Sequence, residues 1–261
     1  MDIELESKND FFFDLDKTIW NWDSAIIGAE DLIDTIREVG KDYYFVTDNT
    51  LLSRKEYAKK LSSMNIPADE DQVLTSGYVA AERIAEDGYK KVYAIGEKGL
   101  IDELDRKDIK VSKDADAVVA GFDRQFNYDK LRKAMKILQD GGKLYICSTE
   151  RTFRKTSGEQ PHQKPFNKAL REYADDSQVE LVGKPSKSFR KVFKDYFSYF
   201  PTASLVIGDR AADIEFGNDL GMKTGAVMSG DLDREILAAA DEDQQPDFGL
   251  SNLNRLKRNI I

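Results

Sequence analysis

Short apolar runs alternate along this chain with amphipathic stretches, and polar clusters sit where the runs end. Phe11-Phe12-Phe13 stops at Asp14-Leu15-Asp16, and an apolar run bounded this way predicts a buried strand. From Gly28 to Val39, residues Ala29, Leu32, Ile33, Ile36 and Val39 fall on one helical stripe, with Gly40 as the C-terminal stop. Tyr43-Tyr44-Phe45-Val46 predicts a second buried strand, ending in Thr47-Asp48-Asn49-Thr50. Ser53 and Glu56 have the spacing of a capping box and open a helix that reaches to about Asn65. Strand, helix, strand, helix in that order predicts parallel strands joined by crossover helices.

The middle of the chain continues the alternation. Helices are predicted at Tyr78 to Ala85, Lys98 to Asp105, Tyr128 to Gln139 and Phe166 to Tyr173. Apolar runs lie between them at Val92 to Ile95, Ala117 to Ala120 and Leu144 to Cys147, while Thr152 to Lys164 reads as a long polar loop. Further on, Val179 to Val182 leads into Gly183-Lys184-Pro185-Ser186. A helix with Phe189, Val192, Phe193, Tyr196 and Phe197 on its inner side follows. Ala203 to Ile207 then runs into Gly208-Asp209-Arg210-Ala211-Ala212-Asp213, a short helix ends at Gly221, and Thr224 to Met228 is a last strand. The prediction is an α/β fold with a doubly wound, Rossmann-like parallel sheet.

Composition narrows the function classes. The 261 residues carry a formal net charge of −9, which disfavours a phosphate-backbone footprint and hence nucleic acid as a partner. One cysteine, Cys147, excludes an intrachain disulfide and a cysteine metal cluster. Met1 to Glu6 lacks a basic segment followed by an apolar run, so no secretory leader is expected. No apolar stretch is long enough to span a bilayer, and a cytoplasmic protein without a membrane partner is expected. His162, the only histidine, lies in the polar loop and is expected at the surface.

Three predicted strands end in carboxylates or their neighbours: Asp14 and Asp16, Thr47-Asp48-Asn49, and Asp209 with Asp213. In a parallel α/β sheet, ligands bind beyond the carboxyl ends of the strands, so these groups should converge. Alternation along a strand puts Asp14 and Asp16 on one face. Carboxylates gathered in a cleft repel unless a cation is present, and a hard divalent ion such as Mg2+ suits an all-oxygen site that also handles phosphate. Lys184, between a strand end and a helix start, adds a positive charge. Metal, lysine, hydroxyl and a free carboxylate together suit phosphoryl transfer.

In this order, Phe12-Phe13-Asp14-Leu15-Asp16-Lys17-Thr18, Val46-Thr47-Asp48-Asn49, Gly183-Lys184-Pro185 and Gly208-Asp209 with Asp213 resemble the four motifs of the haloacid dehalogenase (HAD) superfamily. Gly121-Phe122-Asp123-Arg124 and Cys147-Ser148-Thr149-Glu150-Arg151-Thr152-Phe153 are similar to cap signatures of its NagD-like, p-nitrophenylphosphatase-like subclass. The resemblance implies a HAD core at residues 1–76 and 179–261 with an α/β cap inserted at 77–178. It implies Asp14 as nucleophile and Asp16 as general acid and base, its carbonyl also binding Mg2+. It implies Thr47 and Lys184 on the phosphoryl group with Asp48 and Asn49 beside them, Asp209 on the metal, and Asp213 as a ligand through water or an anchor. Asp123, Glu150 and Arg151 are either substrate contacts from the cap or solvated side chains.

Some positions depart from the pattern. Lys17 stands where the family usually has glycine, Asp48 where it usually has asparagine, and Ser148 to Glu150 differ from the usual cap sequence. The expected activity is a Mg2+-dependent phosphatase for a small phosphorylated metabolite, acting through an aspartyl phosphate. A silent phosphometabolite-binding protein and a phosphotransferase to a non-water acceptor are the alternatives. A homodimer is compatible with the resemblance.

Overall fold

The computed structural model describes residues 5–21, 24–155, 158–228, 232, 236–237 and 239–260. Met1 to Glu4, part of the segment inspected for a leader, lie outside them. Two compact units make up the chain. One comprises Met1–Thr47, Ala58–Leu74 and Phe193–Ile261; the other comprises Asp48–Tyr57 and Thr75–Val192.

The first unit is built on a six-stranded sheet in the order Phe248–Leu250, Lys223–Val227, Ser204–Gly208, Asp10–Phe13, Asp42–Thr47, Val73–Thr75. Asp10–Phe13 pairs in parallel with both Ser204–Gly208 and Asp42–Thr47. Chain order therefore runs outward in both directions from Asp10–Phe13, which places a switch point at its carboxyl end. A strand covered on both faces should be apolar throughout. Phe11, Phe12 and Phe13 are indeed all buried.

Phe12 is the hub of an aromatic cluster. It stacks on Tyr44 at 5.0 Å between ring centroids and meets Phe193 and Phe197 edge-on at 4.9 and 5.4 Å. The stripe Phe189, Phe193 and Phe197 is buried as its spacing predicts. Val39, assigned to the apolar stripe of the first helix, is instead 41% exposed, because Ala29–Glu38 ends one residue before it.

The second unit carries a five-stranded parallel sheet in the order Val179–Leu181, Lys143–Ile146, Ala117–Ala120, Lys91–Ile95, Lys110–Val111. Helices Lys98–Asp105 and Tyr128–Gln139 have the predicted limits. The long polar loop is largely a different object. Thr152–Lys155 and Gly158–Pro161 form an antiparallel hairpin, and a helix begins at Gln163. Neither strand has the apolar alternation of a half-buried one, so periodicity gave no signal.

A polar network ties this unit together. Glu180 accepts from Arg83 Nε and from Ser188 Oγ at 2.7 Å, and pairs with Lys143. Burial disfavours the Glu180 carboxylate, but the hydrogen bonds from Arg83, Lys143 and Ser188 outweigh it and pull its pKa down to about 2. Among the described residues, no helix is long and apolar enough to cross a membrane.

Two outcomes follow for stability. Phe12→Ala removes the hub of the cluster and lowers unfolding free energy by about 3–5 kcal/mol, measurable by urea denaturation. Because its folded pKa is depressed from 4.5, Glu180 stabilises above the unfolded value, and the benefit is lost as pH falls toward about 2. Glu180→Gln therefore lowers the melting temperature at pH 7, and the gap from wild type narrows below about pH 4.5.

Candidate active site

The acidic cluster belongs to the first unit and grows directly from its sheet. The Asp14 backbone N–H donates to the Ile207 carbonyl at 2.9 Å, which carries the ladder one residue past the strand and fixes Asp14 beside the end of Ser204–Gly208. Asp209 follows that strand immediately. Asp213 lies in the first turn of helix Ala211–Asp219, and its Oδ2 accepts the Arg210 N–H at 3.1 Å. Gly208 is required next to it: a Cβ there would lie 2.3 Å from the Asp213 Cβ.

Asp14, Asp209 and Asp213 are all buried, and one oxygen from each lies within 4.8 Å of the others. At an effective dielectric of about 20, two unit charges about 4 Å apart repel by ~4 kcal/mol. Three such charges demand compensation. Part of it is Arg210, whose guanidinium lies 3.4 Å from Asp14 Oδ1, 3.8 Å from Asp213 Oδ1 and 3.9 Å from Asp209 Oδ1. An all-oxygen, buried, convergent donor set of this kind fits a hard divalent cation. Arg210 was legible only as a neighbour. Its signal was a cation between two carboxylates in an otherwise apolar strand-to-helix turn.

Asp16 is placed differently. It is half-buried, and its Oδ1 accepts from the Trp20 indole N–H at 2.9 Å, while Lys60 Nζ sits 4.2 Å from the Trp20 ring centre. The three-carboxylate group does not include it. Between Asp14 and Trp20 the chain makes a tight loop, with Ile19 and Trp20 N–H groups both donating to the Leu15 carbonyl. Lys17 has φ +62° there. A left-handed residue other than glycine costs roughly 1–2 kcal/mol, which explains why glycine suits this position. Thr47 is buried at the end of Asp42–Thr47.

The second unit holds a polar cradle of its own residues. Asp48 Oδ1 accepts the Lys184 backbone N–H at 2.8 Å, and the Asp48 carbonyl accepts from Ser76 Oγ at 2.7 Å. Lys184 is 2% exposed. Gly183 permits this approach, since a Cβ would lie 2.2 Å from the Cys147 carbonyl oxygen. Asn49 Oδ1 accepts the Leu51 N–H at 3.1 Å, and its carbonyl accepts from Tyr57 Oη at 3.1 Å. The Asp48 carboxylate thus fastens the loop that carries Lys184. Burial, reinforced by the Asp48 charge, pushes the Cys147 thiol well up, so it is a poor nucleophile at neutral pH.

The cap candidates differ among themselves. Asp123 is buried with both oxygens engaged, Oδ1 accepting the Gln125 N–H at 2.8 Å and Oδ2 pairing with Lys130 at 2.5 Å. Arg151 is exposed, and Glu150 Oε2 lies 3.8 Å from His162 Nε2. His162 is buried rather than at the surface, stacked on Phe122 at 4.1 Å with Phe153 edge-on at 5.8 Å. Its polar sequence neighbours belong to the hairpin, which hid that environment.

Comparison with known proteins bears on the family and the fold. A family model described as haloacid dehalogenase-like hydrolase matches residues 11–110, and one described as HAD-hydrolase-like matches residues 181–256. The chain is similar to chloroplastic phosphoglycolate phosphatase 1A of Arabidopsis thaliana, 29% identical over 96% of this chain and 76% of that protein. It is 28% identical to the 5'-nucleotidase YutF of Bacillus subtilis, over 95% of this chain and 97% of that one. The structure is similar to that of a 4-nitrophenylphosphatase from Thermotoga maritima, with a TM-score of 0.89 and 25% identity over 98% of this chain and 99% of that one. Motifs, fold and relatives converge: the chain belongs to the haloacid dehalogenase-like hydrolases, in their NagD and p-nitrophenylphosphatase-type branch of phosphoric monoester hydrolases.

Proposed function

We propose that this protein is a Mg2+-dependent phosphatase for a small phosphorylated metabolite. The observation that carries the proposal is the convergence of buried Asp14, Asp209 and Asp213, with one oxygen each within 4.8 Å. Asp14 also begins the loop that holds Asp16, which supplies a nucleophile and a proton carrier two residues apart.

In this reading Asp14 attacks the phosphorus, an Asp14 O–P bond forms, and the bond from phosphorus to the leaving oxygen breaks. Asp16 gives its proton to that oxygen. Asp16 then takes a proton from the attacking water, whose oxygen forms the new bond to phosphorus as the Asp14 O–P bond breaks, releasing inorganic phosphate. The family resemblance assigns Thr47 and Lys184 to the phosphoryl group, with Asp48 and Asn49 beside them. Asp14, Asp209, Asp213 and the Asp16 carbonyl are the groups that would hold Mg2+. When bound, the ion offsets the charge spread over the phosphoryl oxygens in the transition state.

Substrate choice is assigned to the expected cap segment, residues 77–178, with Glu150 and Arg151 as candidate contacts. Support for the substrate class comes from the relatives, which include a phosphoglycolate phosphatase and a 5'-nucleotidase. Asp123 is the weaker candidate, because its two oxygens are already engaged in holding the unit together.

Asp14→Asn should lower phosphate release from p-nitrophenyl phosphate in Mg2+ by at least about 10³-fold. Turnover near wild type would overturn the mechanism, and ligand binding without release by the wild-type protein would make it a silent binder. Chelation of the purified protein should abolish release and added Mg2+ should restore it, followed in the same assay. Full activity after chelation would remove the metal from the mechanism.

A further inference from the structure

Arg210 is a fixed positive charge at the acidic cluster that the proposed reaction does not use. Its guanidinium faces Oδ1 of Asp14, Asp209 and Asp213 at 3.4 to 3.9 Å, and its side chain is 15% exposed. Its backbone is held as well: the Arg210 N–H donates to Asp213 Oδ2, and helix Ala211–Asp219 starts there. One cation therefore addresses all three carboxylates that the proposed metal site requires.

We infer that Arg210 is a resident counter-ion that competes with the divalent cation for the Asp14, Asp209 and Asp213 carboxylates, so that cation binding requires the guanidinium to withdraw. The inference rests on the metal site proposed above. Guanidinium cannot shed its charge by losing a proton, so it cannot make room by titrating. A divalent cation bound by these oxygens would meet a like charge a few ångströms away in a buried site. The two cations ask for the same side chains. Without the ion, Arg210 keeps three buried carboxylates tolerable, because removing one partner of a buried charge cluster leaves the rest uncompensated. With the ion, the long side chain can leave while its anchored backbone and the helix start stay in place, and its partial exposure provides the way out.

The device has a functional sense. It couples cation affinity to the position of one side chain. It also separates two roles that a purely structural arginine would merge, namely stability without the ion and affinity for it.

The test is calorimetric titration with Mg2+ alone on chelator-treated full-length protein, paired with melting temperatures in the presence and absence of Mg2+. Arg210→Ala should bind Mg2+ on the order of tenfold tighter than wild type. It should melt lower than wild type without the ion and recover to the wild-type value or above at saturating Mg2+. Arg210→Lys, which keeps the charge, should bring Mg2+ affinity back toward wild type. Arg210→Gln, which removes the charge but keeps polar bulk, repeats the test should the alanine variant fail to fold. Unchanged or weaker Mg2+ binding in the charge-removing variants, or equal loss of stability with and without the ion, would overturn the inference. Asp209→Asn separates the two layers: loss of Mg2+ binding supports the metal site, whereas wild-type binding would overturn the site and the inference with it.

Discussion

Repulsion among three buried carboxylates is the constraint on which the rest of this structure turns. Asp14 and Asp209 end adjacent parallel strands, and Asp213 opens the helix that follows the second of them. Nothing in the packing of the sheet needs acids there. Phe11, Phe12 and Phe13 bury fully on their own, and the aromatic cluster around Phe12 would hold the strand whatever followed it. The acids are an electrostatic cost imposed on a well-packed core. A cost of that kind is characteristic of sites that handle charge.

The surrounding details read as ways of keeping that cost bearable and the geometry fixed. Hydrogen bonding of the Asp14 N–H to Ile207 removes freedom from the Asp14 backbone. Gly208 lets the Asp213 side chain pack against the strand end, and Arg210 supplies charge of the opposite sign. In the second unit, a comparable economy appears around Lys184. Its backbone is tied to the Asp48 carboxylate, and Gly183 allows the Cys147 carbonyl to approach where any side chain would collide. The Asp48 side chain accepts that backbone hydrogen bond at 2.8 Å, a contact an asparagine amide oxygen could also make, so it does not explain this departure from the family pattern.

Much of this was legible before any coordinates. Wherever a strand is buried on both faces, as at Phe11 to Phe13 and Ala117 to Ala120, composition alone marks it. The order of Asp14, Thr47, Lys184 and Asp209 along the chain was enough to identify the family. What escaped notice lacked a periodic or compositional signal. The hairpin Thr152–Lys155 with Gly158–Pro161 is polar on both strands, so it looked like a loop. Strand Phe248–Leu250 is three residues long with a glycine in the middle. The burial of His162 depends on Phe122, forty residues away in sequence, and local reading could not supply that contact. Arg210 was overlooked for a related reason. It lies between Asp209 and Asp213 in sequence, and its spacing carries no mark of a guanidinium turned toward all three carboxylates.

Lys17 remains the clearest case of a sequence oddity given a structural meaning. Its φ of +62° shows that the turn after Asp16 wants a left-handed residue, and a lysine there accepts strain that glycine would avoid. The loop nevertheless closes, with the Lys17 N–H donating to the Trp20 carbonyl at 2.7 Å, and Asp16 stays tethered to the Trp20 indole. Asp14 and Asp16, the proposed nucleophile and proton carrier, are thereby held on one short, hydrogen-bonded segment. The central claim is that Asp14 carries the phosphoryl group, and the most direct measurement is a crystal structure of the protein with Mg2+ and beryllofluoride, a mimic of an acyl phosphate. The account predicts the trifluoroberyllate bonded to an Asp14 carboxylate oxygen, whereas an adduct on another residue, or none, would contradict it.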